Sequence, residues 1–365
     1  METFDHVVVG GGPGGCVSAS RLSEDPALSV ALIEAGPDRR GFLGDCTAAG
    51  TILNVPRKTP SNWAFDSTPQ AGLNGRRAYQ PYGRGLGGGS AINVLMYMRG
   101  HCSDYDEWAA MGNPGWSYAE VLPYFRKSEN NQTHRNEYHG DDGPLWVEEL
   151  RTDNPYHGIV KQACREAGLP FNPDFNGAEQ EGYNCVQVMM RNGERFHAGK
   201  AFIHPHLGKR ANLQLYTDTE CTRILFEGKR SVGVEVIADG ARRHIRARRE
   251  VIVAGGGFLS PKLLMLSGVG AGQELQRARR HVRLEQQLHG HGGDQRRLLR
   301  GLGEHRVARC QRRSDLAAEY RQRKVPGRNA CHRPEGAMRV VAEGRARLRA
   351  GVTQEIDGLA DLRHR

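Results

Sequence analysis

The chain opens on a short apolar run, Val7-Val8-Val9, breaks into glycine between Gly10 and Gly15, and resumes with a helical texture over 16–22. A second apolar run, Val30-Ala31-Leu32-Ile33, ends on Glu34. Brief apolar runs bounded by turn signals read as buried strands, so the pattern predicts strand, tight turn, helix, strand, which is a βαβ unit. From about 36 to 100 Gly, Pro and Asn interrupt every periodicity, predicting loops packed over a ligand. Helices are predicted over 103–111, where Asp104, Asp106 and Glu107 complement the helix dipole, and over 117–128. A third is predicted over 155–167, with Ile159, Val160, Ala163 and Ala167 on one face. Short strands follow at 213–216, 221–226, 233–237 and 244–247, joined by turns such as Glu227-Gly228-Lys229 and Ala238-Asp239-Gly240. A buried strand over 250–254 then leads through three glycines to a helix expected to start at Ser260-Pro261, with Ser as cap and Pro at the first helical position.

Strand, glycine turn and helix thus occur both early and late, which sets the fold class as α/β with a dinucleotide-binding, Rossmann-type core. The length of 365 residues suits two domains. No apolar run is long enough to span a bilayer, and the first strand starts too early to leave room for a signal peptide. The expectation is a cytoplasmic protein, or one held peripherally at the inner-membrane surface, with no transmembrane segment. Cysteines at 16, 46, 102, 164, 185, 221, 310 and 331 include no pair at the spacing of a zinc or redox motif, so no metal site is expected.

Net charge is +10, but residues 277–365 carry 21 Arg and one Lys against ten acidic residues, leaving the first 276 slightly negative. The basicity therefore argues for no nucleic-acid partner. The same stretch holds no Phe or Trp and a single Tyr320, so it has little with which to fill a core.

Gly10, Gly12 and Gly15 form G-x-G-x-x-G between a strand and a helix. Gly10 makes the turn, Gly12 admits a pyrophosphate to the backbone, and Gly15 lets helix and strand pack closely. The helix N-terminus offers free N–H groups to phosphate, and Glu34 stands where a carboxylate would bond ribose hydroxyls. NAD and FAD both use this fingerprint. A second glycine-rich segment, Gly83-Arg84-Gly85-Leu86-Gly87-Gly88-Gly89-Ser90-Ala91-Ile92-Asn93, can also bring backbone against a phosphate or a flat ring.

That segment, continuing through Val94-Leu95-Met96-Tyr97-Met98-Arg99-Gly100, resembles the first signature of the glucose–methanol–choline (GMC) oxidoreductases. The run from Gly256 through Ser260-Pro261 to Gly270 resembles the second, with Gly257 where the family more often has alanine. Shorter stretches, among them Asn62-Trp63-Ala64-Phe65, Tyr105-Asp106-Glu107-Trp108 and Gly193-Glu194-Arg195, are similar to the choline and alcohol dehydrogenase branch. Together they extend the resemblance over 4–276.

The resemblance implies FAD as cofactor and a Rossmann-type FAD-binding domain over 1–276, with a partial substrate-side insertion around 131–200. Gly10, Gly12, Gly15 and Glu34 would hold its ADP half, Gly85, Gly87, Gly88 and Ser90 the pyrophosphate and flavin, and Asn93, Val94, Leu95 and Met96 the isoalloxazine. Cys221 would present its backbone to the adenine. The implied reaction is hydride transfer from a primary alcohol, choline or aliphatic, to flavin N5, with a histidine base and an electron acceptor, quinone or other, that the sequence leaves undefined. No catalytic residue is assigned: none of His281, His289, His291, His305, His332 or His364 lies in a stretch resembling the family's catalytic one. The family pattern stops near Gln276, so 277–365 reads as a disordered basic tail or an out-of-frame translation, the abrupt change favouring the second, and the C-terminal substrate domain as missing. The alternative function is a catalytically inactive FAD-binding fragment.

Overall fold

A computed structural model describes residues 2–40, 59–273 and 275–276. The expectations for 277–365, the six histidines included, and for 41–58 lie outside the described residues. The chain divides into two compact units. One contains Met1–Met98, Leu122–Leu150 and the described chain from Val186 onward; the other contains Arg99–Val121 and Arg151–Cys185. The insertion expected around 131–200 overlaps the second unit only within 151–185.

The first unit is built on a six-stranded sheet of β1 (Glu2–Val9), β2 (Val30–Ile33), β3 (Leu213–Tyr216), β4 (Thr219–Glu227), β5 (Arg230–Ala238) and β6 (Ala241–Val253). Its order is β3-β2-β1-β6-β5-β4. The β3/β2, β2/β1 and β1/β6 pairs are parallel, and β6/β5 and β5/β4 are antiparallel. Side chains alternate between faces, so an apolar strand feeds two cores. Val8, Val30 and Leu32 pack on one face with Cys16 and Ala19 of helix α1 (Pro13–Leu22). On the other, Val7, Val9, Ala31 and Ile33 join Ile224, Val234 and Leu263. Leu263 belongs to helix α5 (Gly256–Leu266), so each face of the sheet has its own helix.

Helix α1 starts at Pro13, three positions before the predicted start, with Pro at the position where a missing N–H costs nothing. The two strands expected at 244–247 and 250–254 are one thirteen-residue strand, β6. Its first part pairs with β5, from Ala241↔Ala238 to Arg246↔Gly233, and its last part with β1, from Ile245↔Glu2 to Val253↔Val9. Arg248, in the polar stretch that had suggested a break, reaches Asp5 of β1 at 3.0 Å with both Nε and Nη2. That guanidinium, with the Ser29 N–H and hydroxyl, holds the Asp5 carboxyl well below the usual carboxylate range.

The remaining helices are α2 (Cys102–Ala110), α3 (Tyr118–Ser128), α4 (Pro155–Glu166) and α5 (Gly256–Leu266). Helix α5 begins at Gly256 with Gly255 as its N-cap, so Ser260 is not a cap and Pro261 lies inside the helix. The face of α4 read as apolar is open, with Ile159 and Val160 60% and 59% exposed. Among the described residues no helix is long and apolar enough to cross a membrane.

Candidate dinucleotide site

Two glycines let β1, α1 and the end of β6 converge. Gly10 turns the chain at φ +106°, and a Cβ there would lie 2.5 Å from the Ala254 carbonyl oxygen. A Cβ on Gly15 would lie 1.8 Å from the Gly10 oxygen. Gly12 is the N-cap of α1 and offers no side chain, so the first-turn N–H groups of the helix are left for something else. Cβ atoms on Gly12, Gly14 and Gly89 would meet nothing within 4 Å. Their open side faces a cavity of about 1320 Å³.

The second glycine loop is drawn onto the first. Gly87 donates its N–H to the Gly11 oxygen at 2.7 Å, and Gly88, at φ +51°, would place a Cβ 2.7 Å from the Gly12 Cα. Glu34 joins the two from the end of β2. Its Oε2 accepts from the Gly11 N–H at 2.7 Å, and its Oε1 from the Gly36 and Gly85 N–H groups at 2.8 and 2.9 Å. Burial pushes this carboxyl above the usual range, against the pull of the three N–H groups.

Of the candidate residues, Gly10, Gly12, Glu34, Gly88, Asn93, Val94 and Cys221 line the cavity. Gly85, Gly87 and Gly15 shape the turns from behind. Ser90 is also behind: its hydroxyl donates to the Gly87 oxygen at 2.6 Å and accepts from the Ala198 N–H at 3.0 Å. Leu95 is buried at φ +68°, a conformation unusual for a residue with a side chain. Met96 is half exposed and bridges to Val188. Burial pushes the Cys221 thiol up to about 12.

Four residues absent from the candidate set support or line the site. Arg195, 1% exposed, donates to the Ser90 oxygen at 3.1 Å and to the Asn93 Oδ1 and carbonyl oxygen, both at 2.7 Å. Its presence in Gly193-Glu194-Arg195 was a signal, but its reach to a loop a hundred positions away was not. His197, 2% exposed, packs against Gly87, where a Cβ would come within 2.5 Å of its Nδ1. Burial, with the neighbouring His204, Arg195 and Lys200 charges, lowers its pKa to about 4. Lys262 of α5 lines the cavity, as does Glu220 of β4.

Together these features fit FAD. Two glycine loops with an open side and an uncapped helix N-terminus suit a pyrophosphate. A carboxylate at the end of β2 suits a ribose, and the cavity exceeds the size of an ordinary small-molecule pocket of about 300–1,000 Å³.

Over about three quarters of its length the chain is similar to known proteins. Choline dehydrogenase, mitochondrial, from Mus musculus is 43% identical over 283 residues, 76% of this chain and 47% of that protein. Alcohol dehydrogenase [acceptor] from Pseudomonas putida is 41% identical over 276 residues, 75% and 50% of the two chains. The chain spans about half the length of the curated relatives it matches. An FAD-dependent oxidoreductase from Chaetomium thermophilum superposes with a TM-score of 0.69 at 32% identity, covering 75% of this chain and 49% of that one. The GMC oxidoreductase family model matches residues 4–292, past Gln276 and across both glycine loops and α5, and the chain belongs to that family.

Proposed function

We propose that this chain binds FAD and forms the cofactor half of an oxidoreductase acting on the CH–OH group of a primary alcohol, choline or an aliphatic alcohol. The observation that carries the reading is Glu34 joining two glycine loops, Gly11 on one side and Gly85 on the other, at the edge of the cavity. Bound FAD supplies a hydride acceptor in its flavin ring. Gly12 and the first turn of α1 would offer backbone N–H groups to the phosphates, and Glu34 retains a lone pair on Oε2 for a ribose hydroxyl. Asn93, held by Arg195, and its neighbour Val94 line the cavity and would form a wall for the ring. The substrate class follows the mouse and Pseudomonas putida relatives, named for choline and alcohol dehydrogenation. No described residue is assigned as base.

The test is an anaerobic absorption spectrum of the purified chain, with flavin bands expected near about 380 and 450 nm. Bleaching by choline or a primary alcohol supports the full reading. Bands that persist with every alcohol reduce it to cofactor binding alone, and absence of bands after incubation with FAD sinks it.

A further inference from the structure

His157 and Cys185 belong to the same compact unit, within its stretch Arg151–Cys185, and neither lines the cofactor cavity. They stand 28 positions apart in no common motif, yet the His157 Nδ1 lies 3.1 Å from the Cys185 Sγ. Both residues are half-buried. Each is fixed from its own side. Asn154 caps α4 by accepting the Tyr156 N–H at 3.0 Å, which seats His157 in the first turn of that helix. The Cys185 N–H donates to the Asn184 Oδ1 at 2.8 Å. A second imidazole and thiol show what is particular to this pair. Cys102 follows His101 directly, but its Sγ stays 3.8 Å from the ring Nδ1, which the Ser103 hydroxyl and N–H already occupy at 2.8 and 3.3 Å. The His157 Nδ1 has Cys185 as its hydrogen-bond partner among the described residues. A thiol within hydrogen-bonding reach of a ring nitrogen has its base in place.

We propose that Cys185 is a peroxide-reactive thiol with His157 as its base, a modification site separate from the cofactor cavity. The sulfur attacks the hydroxyl-bearing oxygen of a hydroperoxide while His157 takes the thiol proton. An S–O bond forms, the O–O bond breaks, and the proton passes from His157 to the departing alkoxide, which leaves as an alcohol. Sulfur is oxidised by two electrons to the sulfenic acid, and the hydroperoxide is reduced, to water when it is hydrogen peroxide. An oxidant this small suits a half-buried sulfur, where a bulky electrophile would have to displace the neighbouring chain. The inference stands whether or not the cavity binds FAD.

The experiment treats the full chain with hydrogen peroxide, traps sulfenic acid with dimedone and reads each cysteine by peptide mass spectrometry, for the wild type and His157→Gln. Cys164 is the internal control: it lies in the same helix and is half-buried as well, with no ring nitrogen bonded to it among the described residues. In the wild type Cys185 is expected to label at least about tenfold faster than Cys164, a modest share of what a positioned base contributes. His157→Gln, with circular dichroism unchanged, should remove most of that advantage while leaving the Cys164 rate as it was. Equal rates for the two thiols in the wild type overturn the proposal, as does a Cys185 rate that survives the substitution in a folded protein. If His157→Gln prevents folding, the wild-type comparison of the two thiols decides.

Discussion

Arg195 and Asn93, 102 positions apart in sequence, form a two-point contact in which the guanidinium bonds both the side-chain and main-chain oxygens of the asparagine at 2.7 Å. Asn93 in turn accepts the Leu95 N–H at 3.0 Å, so the fork fixes the loop where Leu95 takes its positive φ. Arg195→Met should lower stability by roughly 2–4 kcal/mol, since buried loop oxygens lose their donors. Arg195→Lys should recover only part of this, because an ammonium cannot span both oxygens as a planar fork does. Urea denaturation checks both, and a loss below about 0.5 kcal/mol for the methionine variant would show that the fork is dispensable.

Gly12 and Gly15 separate cofactor binding from folding. A methyl on Gly12 meets no protein atom, and its φ of −72° suits alanine, so Gly12→Ala should keep stability within about 1 kcal/mol. Because that methyl enters the cavity, FAD affinity should fall at least about tenfold. Gly15→Ala drives a methyl into the Gly10 carbonyl and should lose stability and binding together. Thermal unfolding beside FAD titration distinguishes the two; a Gly12→Ala protein that binds FAD normally would contradict the placement of the pyrophosphate.

His197 makes stability depend on acid. Its folded pKa of about 4 lies below the ordinary 6.5, so between these values the unfolded chain binds a proton that the folded chain refuses. Stability therefore falls as pH drops through this window, by at most about 1.4 kcal/mol per pH unit from this group. In His197→Asn the slope should flatten, measured by urea unfolding at several pH values across the window.

Glu34 acts in the opposite sense. Its pKa is raised on folding, so its contribution is fully present below 4.5 and is lost as pH rises through the folded value. Glu34→Gln removes that slope and leaves a single carbonyl oxygen where two oxygens served three N–H groups, costing about 1–3 kcal/mol. A variant as stable as the wild type and equally able to bind FAD would remove Glu34 from the site.

The apolar runs of β1 and β2 and the turn between them were legible because a parallel strand buried on both faces leaves a continuous hydrophobic signature. The start of α1 was legible in principle, through Pro13. β6 was not: Arg248 and Arg249 interrupt its apolar pattern, and only the pairing with Asp5 explains why a strand runs through them. Ser260-Pro261 misled because a cap signature inside a helix looks the same as one at its start, and α5 begins four residues earlier at Gly256. Gly10, Gly12 and Glu34 could be named from motif spacing, and Asn93 only through the family resemblance. Arg195 and Lys262 lie in stretches that carry the resemblance, but their place at the site, like that of His197, is set across the fold and leaves no local pattern.

The register of β6 against β1 also bears on how the chain is made. β1 emerges first, yet its partner on one side is residues 245–253. At a synthesis rate of roughly 5–20 residues per second, that edge waits for tens of seconds or about a dozen at best. Throughout that interval its unpaired N–H and C=O groups are a template for any other extended chain nearby. A ribosome-bound nascent chain halted before residue 245 should therefore depend on chaperones far more than one halted after 253.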